Sequence, residues 1–222
     1  MNIKAMRFRW ILIAVVVITL AAIWCLSSSA TRSAKLETMI MRAERGQAIR
    51  FSPLEPSLEE LNWLEARQAR AYIIAHPSVS SYHLLIAVRR CCPITYGTID
   101  RSIKTAILCD ALAKVTPMDD WGTLDDTYAD DRESAQALLE LGKECLTRLT
   151  PLLDDRSPVI CKDNGETSAI SFLYQYRCCD YAYRYICILE GVQFVFPLSP
   201  AERDEAIQRL KERLAKRGIG RR

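Results

Sequence analysis

The chain has 222 residues, half of them apolar, with 30 basic and 27 acidic side chains and a net charge of +3. That length supports one sizeable core and is short for two. So balanced a charge points to no nucleic-acid partner, and no phosphate loop, serine-nucleophile elbow, HExxH pair or dinucleotide fingerprint occurs, so no catalytic residue, metal or cofactor is assigned.

A basic tail, residues 1–9 with Lys4, Arg7 and Arg9, precedes an uncharged apolar run at 10–26. At about 1.5 Å of rise per residue, such a run nearly crosses a hydrocarbon layer of about 30 Å. Trp10 and Trp24 stand near its two ends, where aromatic rings prefer the interface. The run reads as a retained single-pass anchor. The competing reading is a signal cleaved after Ala30, with Ser28 and Ala30 as the small residues at the cut and a secreted product. The compact basic cluster in front predicts a cytoplasmic N-terminus and an exported body.

Residues 27–56 read as a juxtamembrane connection, with a short helix around 34–45 and then Pro53 and Pro56 as breakers. From residue 57 to 217 a helical globular domain is expected, followed by a basic tail at 218–222. Ser57 and Glu60 have capping-box spacing, and Leu58, Leu61, Leu64 and Ala71 recur at helical intervals up to Pro77. A second helix is expected over 81–90 and a third over 98–115, closed by Pro117. An acidic loop follows, with Trp121 expected to pin it to the body and Asp130 or Asp131 free to cap the next helix. Further helices are expected at 132–141 and 143–153, divided by Gly142. The longest, 167–189, is apolar or aromatic on most sides and so central. Only 192–196 alternates as a strand would. Ser199, Pro200 and Glu202 start a C-terminal helix with a stripe of Ile207, Leu210 and Leu214. The fold class is all-α: an N-terminal transmembrane helix followed by an α-helical bundle or an irregular helical repeat.

Charge is unevenly spread. Residues 118–155 carry eleven acidic and three basic side chains, and residues 201–222 carry eight basic and four acidic ones. Nine cysteines are present. Eight follow the anchor, an even number that permits disulfides beyond an export signal. Cys109, Cys145 and Cys187 fall in apolar helical stretches, where a thiol behaves as a small hydrophobe. At most one or two bridges are expected, linking the Cys91–Cys92 region to Cys178–Cys179.

The sequence Thr116-Pro117-Met118-Asp119-Asp120 recurs as Thr150-Pro151-Leu152-Leu153-Asp154-Asp155, each copy after an apolar helix. With SAQALLELGKECLTRLTPLLDD and YRCCDYAYRYICIL, this stretch resembles HEAT-type α-helical repeats over about residues 98–190. The resemblance implies stacked helical pairs and a binding or scaffold role.

Three chemistries compete with that role. The pairs Asp119–Asp120, Asp125–Asp126 and Asp130–Asp131 could hold a hard cation, but EF-hand spacing is absent. His76 and His83 lack the tight pairing of zinc ligands. Cys91 or Cys92 with His83 is the one thiol–imidazole candidate. An exported thiol- or metal-dependent enzyme or redox protein, using those residues or the acidic loop 119–131, is therefore the alternative to a membrane-tethered scaffold with a protein partner. For that partner the tyrosine-rich stretch supplies Tyr174, Arg177, Tyr181 and Arg184, the residue types of binding hot spots. The competing structural reading makes the same side chains core residues with satisfied polar tips, Asp180 pairing with Arg184.

Overall fold

The computed structural model describes residues 17–19, 36–41, 61–114, 121–122, 124, 132–159 and 173–219. Of the run at 10–26 only residues 17–19 fall within it, as a piece of helix. Among the described residues no helix is long and apolar enough to cross a membrane. The remainder of the anchor, the residue 57–60 capping box, Cys161 and the three aspartate pairs of the acidic loop lie outside the described residues.

Among the described residues from 61 onward, eight α-helices follow in order: α1 Trp63–Ala75, α2 Tyr82–Cys91, α3 Pro93–Gly97, α4 Arg101–Lys114, α5 Glu133–Glu140, α6 Leu146–Leu152, α7 Cys178–Glu190 and α8 Pro200–Lys216. The described residues contain no strand, only an isolated antiparallel bridge between Pro158 and Arg177. The body is all-α, as its periodicity implies.

Local chemistry sets most boundaries. Asn62 caps α1, its Oδ1 accepting from the amides of Leu64 (3.0 Å) and Glu65 (3.2 Å), while Glu65 accepts from the Asn62 amide (2.9 Å). The capping box that starts this helix is Asn62–Glu65, with the first helical residue at Trp63. The stretch expected as one helix over 98–115 begins instead at Arg101. Asp100 accepts from the Ser102 amide at 2.7 Å there, and Pro93 opens the separate short helix α3. Pro at a first helical position loses no hydrogen bond, which is why that residue starts a helix here. Gly142 ends the α5 region with φ of +63°, and Ser199 caps α8 by accepting from the Glu202 amide at 3.2 Å. Arg132 is the N-cap of α5 and its side chain makes no capping hydrogen bond, while Asp130 and Asp131 lie outside the described residues.

Three further expectations need correction. Of the helix expected over 167–189, residues 167–172 lie outside the described residues and 173–174 are helical, but Gln175 takes a left-handed φ of 49° and the chain runs extended through Arg177, so that α7 starts at Cys178. The exposed amides of its first turn are held from outside: Cys178 N donates to Ser157 O (3.0 Å) and Cys179 N to Asp155 O (2.8 Å). Residues 192–196 form no strand. Val192, Phe194 and Phe196 are half-buried and alternate with exposed Gln193 and Val195, so the period of two reflects an extended segment lying on helices. All seven described cysteines past the anchor are free thiols, and the link between the two cysteine pairs is not made. Cys92 donates to Leu61 O at 3.8 Å and Cys178 to Leu112 O at 3.8 Å, so each pair faces a different helix environment.

Packing combines helices adjacent in the chain with helices distant in it. The closest associations are α1 with α2 and α3, α2 with α3, α4 with α2, α5, α6 and α7, and α7 with α6 and α8. One cluster of buried apolar residues runs through all of them. It also includes Leu36 and Met39, from the helical residues 36–41. Part of the expected juxtamembrane connection thus belongs to the body. Nine residues separate Leu26 from Leu36, a reach of at most about 36 Å for extended chain.

Candidate functional site

The tyrosine-rich helix α7 is buried at ten consecutive positions, 178–187. A helix enclosed on every side must satisfy its polar atoms internally. Tyr181, Arg184 and Tyr185 share one face by their three- and four-residue spacing, and all three reach the same irregular segment. Tyr185 donates to Trp121 O (3.0 Å), Tyr181 to Gly122 O (3.0 Å) and Arg184 Nη1 to Leu124 O (3.1 Å). Trp121 is 1% exposed, stacked on Tyr82 at 6.0 Å and edge-on to Tyr185 at 5.8 Å. Tyr82 in turn bonds Ser134 of α5. The acidic loop is therefore fastened to the core through Trp121, as its isolated indole predicts.

A second polar group lies at the start of α7. The Asp180 carboxylate, buried, accepts from Arg177 Nη2 (2.9 Å), from Arg203 Nη1 (2.9 Å) and from the Arg177 amide (3.0 Å). Asp180 is thus engaged by Arg177 and Arg203 in place of the expected Arg184. Arg203 Nη2 also donates to Tyr174 O at 2.6 Å, and its guanidinium covers the Phe196 ring at 4.9 Å. These bonds fix the left-handed turn at Gln175. Arg177 Nη1 continues outward to Asp204 (2.9 Å), which Arg156 also pairs. Burial opposes the charge on Arg177, yet the Asp180 hydrogen bond and charge hold its pKa above the ordinary value. Burial alone dominates at Arg203 and lowers its pKa. For Asp204 the Arg156 and Arg177 bonds outweigh burial and hold the carboxyl below its usual range.

The four side chains singled out from the sequence thus divide. Tyr181 and Arg184 point into the molecule, and Arg177 is mostly covered by its carboxylates. Tyr174 is half-buried, stacked on Tyr176 at 5.9 Å and edge-on to Phe196 at 6.4 Å. Beside it Leu173 is 71% exposed, and Leu198, two residues past Phe196, is 65% exposed. Arg203 escaped the sequence reading although the signal was there. It lies four residues before Ile207, in register with Leu210 and Leu214, and a charge on an apolar stripe must find a buried partner.

The thiol–imidazole candidate is not assembled. His83 is buried edge-on to Tyr82 at 4.9 Å, and Cys91 lies eight residues further along the same helix, about 12 Å of rise. His76 stacks on Tyr72 at 4.4 Å and its Nδ1 lies 3.1 Å from Tyr72 O. Burial raises the Cys92 thiol, and pushes Cys178 up to about 12 and Cys179 and Cys187 up to about 11. Such thiols are protonated at neutral pH and are poor nucleophiles. Cys145 moves the other way, lowered by a hydrogen bond from Cys109, but both sulfurs are buried. Lys104, buried with its pKa lowered by desolvation, bonds Tyr96 O at 3.4 Å and covers the Tyr96 ring at 4.4 Å. Among the described residues no group of three His, Cys, Asp or Glu side chains could hold a metal ion.

No family model matches this chain, and no curated protein or solved structure shows significant similarity to it.

Proposed function

We propose that the chain is a single-pass membrane protein whose α-helical body binds a protein partner, with the N-terminus cytoplasmic and the body exported. The uncharged run at 10–26 with its basic leading cluster supports the tether and its orientation. The HEAT-like sequence pattern over about residues 98–190, carried by the helices α4 to α7, supports a scaffold rather than a closed catalytic pocket. Residues 36–41, packed on the body, would keep it within a short reach of the bilayer.

The observation that carries the binding reading is the exposed pair Leu173 and Leu198 flanking half-buried Tyr174 and Phe196. Large apolar side chains grouped at a surface mark interaction sites. Here Arg177 lies three residues past Tyr174 and shares Asp204 with Arg156, and aromatic residues with arginine are the usual anchors of an interface. Arg177 and Tyr174 would contact the partner at this rim, while Tyr181 and Arg184 would act by holding the loop.

The test is affinity purification of the full chain from detergent-solubilised membranes, compared with a Leu173→Asp/Leu198→Asp variant. A defined protein retained by the parent and lost from a variant that still folds supports the reading. Recovery of the chain in the carbonate-soluble fraction, or identical retained proteins for both forms, would sink it. Protease accessibility in sealed vesicles checks the orientation.

A further inference from the structure

A cavity of about 320 Å³ opens between α7, the extended residues 192–197 and α8. Ligand pockets start at about this size. Its floor is apolar, made by Val192, Val195, Pro197, Ala206 and Leu210. Tyr183 and Cys187 form the inner wall and hydrogen-bond to each other. Burial pushes the Tyr183 hydroxyl up to about 12 and the Cys187 thiol up to about 11, so this wall is uncharged at neutral pH.

The mouth differs from the floor. Arg209 and Arg213 line it, four residues apart on one face of α8, and among the described residues no acidic side chain shares the lining. Arg209 meets Glu205 at 3.6 Å, but both are about 70% exposed, and such a pair in water holds weakly. Arg213 has no ion pair among the described residues. Two cations therefore stand over an apolar, neutral slot. Val195, 59% exposed at its edge, is an apolar side chain left facing water.

We propose that this slot binds a single-chain amphiphile with a carboxylate head, the alkyl chain on the Val192–Leu210 floor and the head between Arg209 and Arg213. A guanidinium fork matches a carboxylate in two parallel hydrogen bonds, which a neutral head cannot accept as strongly. A small inorganic anion would use the arginines and leave the floor uncovered. The site uses none of Leu173, Tyr174 or Leu198, so it stands whether or not the protein-partner reading does.

Photolabelling tests this with the full chain in nanodiscs and a diazirine-bearing dodecanoate. Labelling is expected on peptides spanning residues 192–213, displaced by unlabelled dodecanoate and at least tenfold less well by dodecanol. Each of Arg209→Gln and Arg213→Gln should weaken displacement about tenfold, the loss typical of a charge-assisted hydrogen bond. Val195→Trp, which fills the slot and leaves both charges, should abolish labelling, with circular dichroism confirming the fold. Labelling elsewhere overturns the proposal, as does equal displacement by dodecanol, by inorganic phosphate alone or by an acidic peptide. Unchanged labelling in the Arg209→Gln/Arg213→Gln variant overturns it too.

Discussion

The helices α7 and α8 lie against each other and use arginine in opposite ways. In α7, with residues 178–187 all buried, Arg184 bonds a carbonyl of the loop and lies 5.2 Å from the Phe194 ring. In α8 five side chains are buried, and the arginines beyond that stripe face water. The difference teaches where charge is structural and where it is available. A buried guanidinium must find its main partners inside, as Arg203 does through Nη1 and Nη2 though not through Nε, whereas Arg209 and Arg213 face outward. Arg203 belongs to the second helix but follows the rule of the first, because it sits on the buried stripe.

Removing Asp180 is the strongest way to break that contrast. Asp180→Ala strands the buried Arg203 cation and uncaps α7, and should cost about 3–5 kcal/mol, read as a drop in the urea midpoint. The double variant Asp180→Leu/Arg203→Met should recover much of that loss, since no unpaired charge remains. Equal loss in single and double variants would show that the ion pair itself, rather than the avoided orphan charge, holds the helices together.

Next in size is the apolar stripe. Leu210→Ala should cost about 2–4 kcal/mol by cavity formation where α8 meets the body. Tyr185→Phe keeps the ring against Trp121 but leaves the Trp121 carbonyl short of a donor, for about 1–2 kcal/mol. Its signature is local: tryptophan fluorescence and proteolysis of the acidic loop should change more than the global unfolding midpoint. Equal shifts in all three would mean that the loop and the core unfold as one unit.

How far the sequence foretold this arrangement depends on the range of the forces involved. Period-3.6 patterning placed the helices, Gly142 and Ser199 marked their ends, and the lone Trp121 announced a buried anchor. Where the reading failed, a non-local contact overrode a local preference. The 167–189 pattern is helical by composition, yet the helix breaks at Gln175, where Arg203, some thirty residues away, grips the carbonyls of Tyr174 and Gln175. The alternation at 192–196 was real, but helices rather than a neighbouring strand cover its inner side. The adjacent cysteine pairs looked ready to bridge, and only the packing of α2 and α7 shows them facing different surroundings. The slot at Arg209 and Arg213 carries no sequence mark, because two exposed arginines on an amphipathic helix look like any solvated face.

The smallest expected effect sharpens the contrast at the rim, where the α8 network reaches water. Asp155 and Asp204 are held below the usual carboxylate range. A hydrogen bond from Ser157 dominates at Asp155, and at Asp204 the Arg156 and Arg177 bonds outweigh burial. A carboxyl with a depressed folded pKa contributes stability that is complete above its unfolded value, about pH 4, and is lost as pH falls through the folded value. Stability should therefore be flat across neutral pH and decline below about pH 4. Asp204→Asn should flatten that decline while leaving the neutral-pH midpoint within about 0.5 kcal/mol, the scale of an exposed ion pair. A large loss at neutral pH would place Asp204 with the buried arginine network of α7 instead of the solvated face of α8.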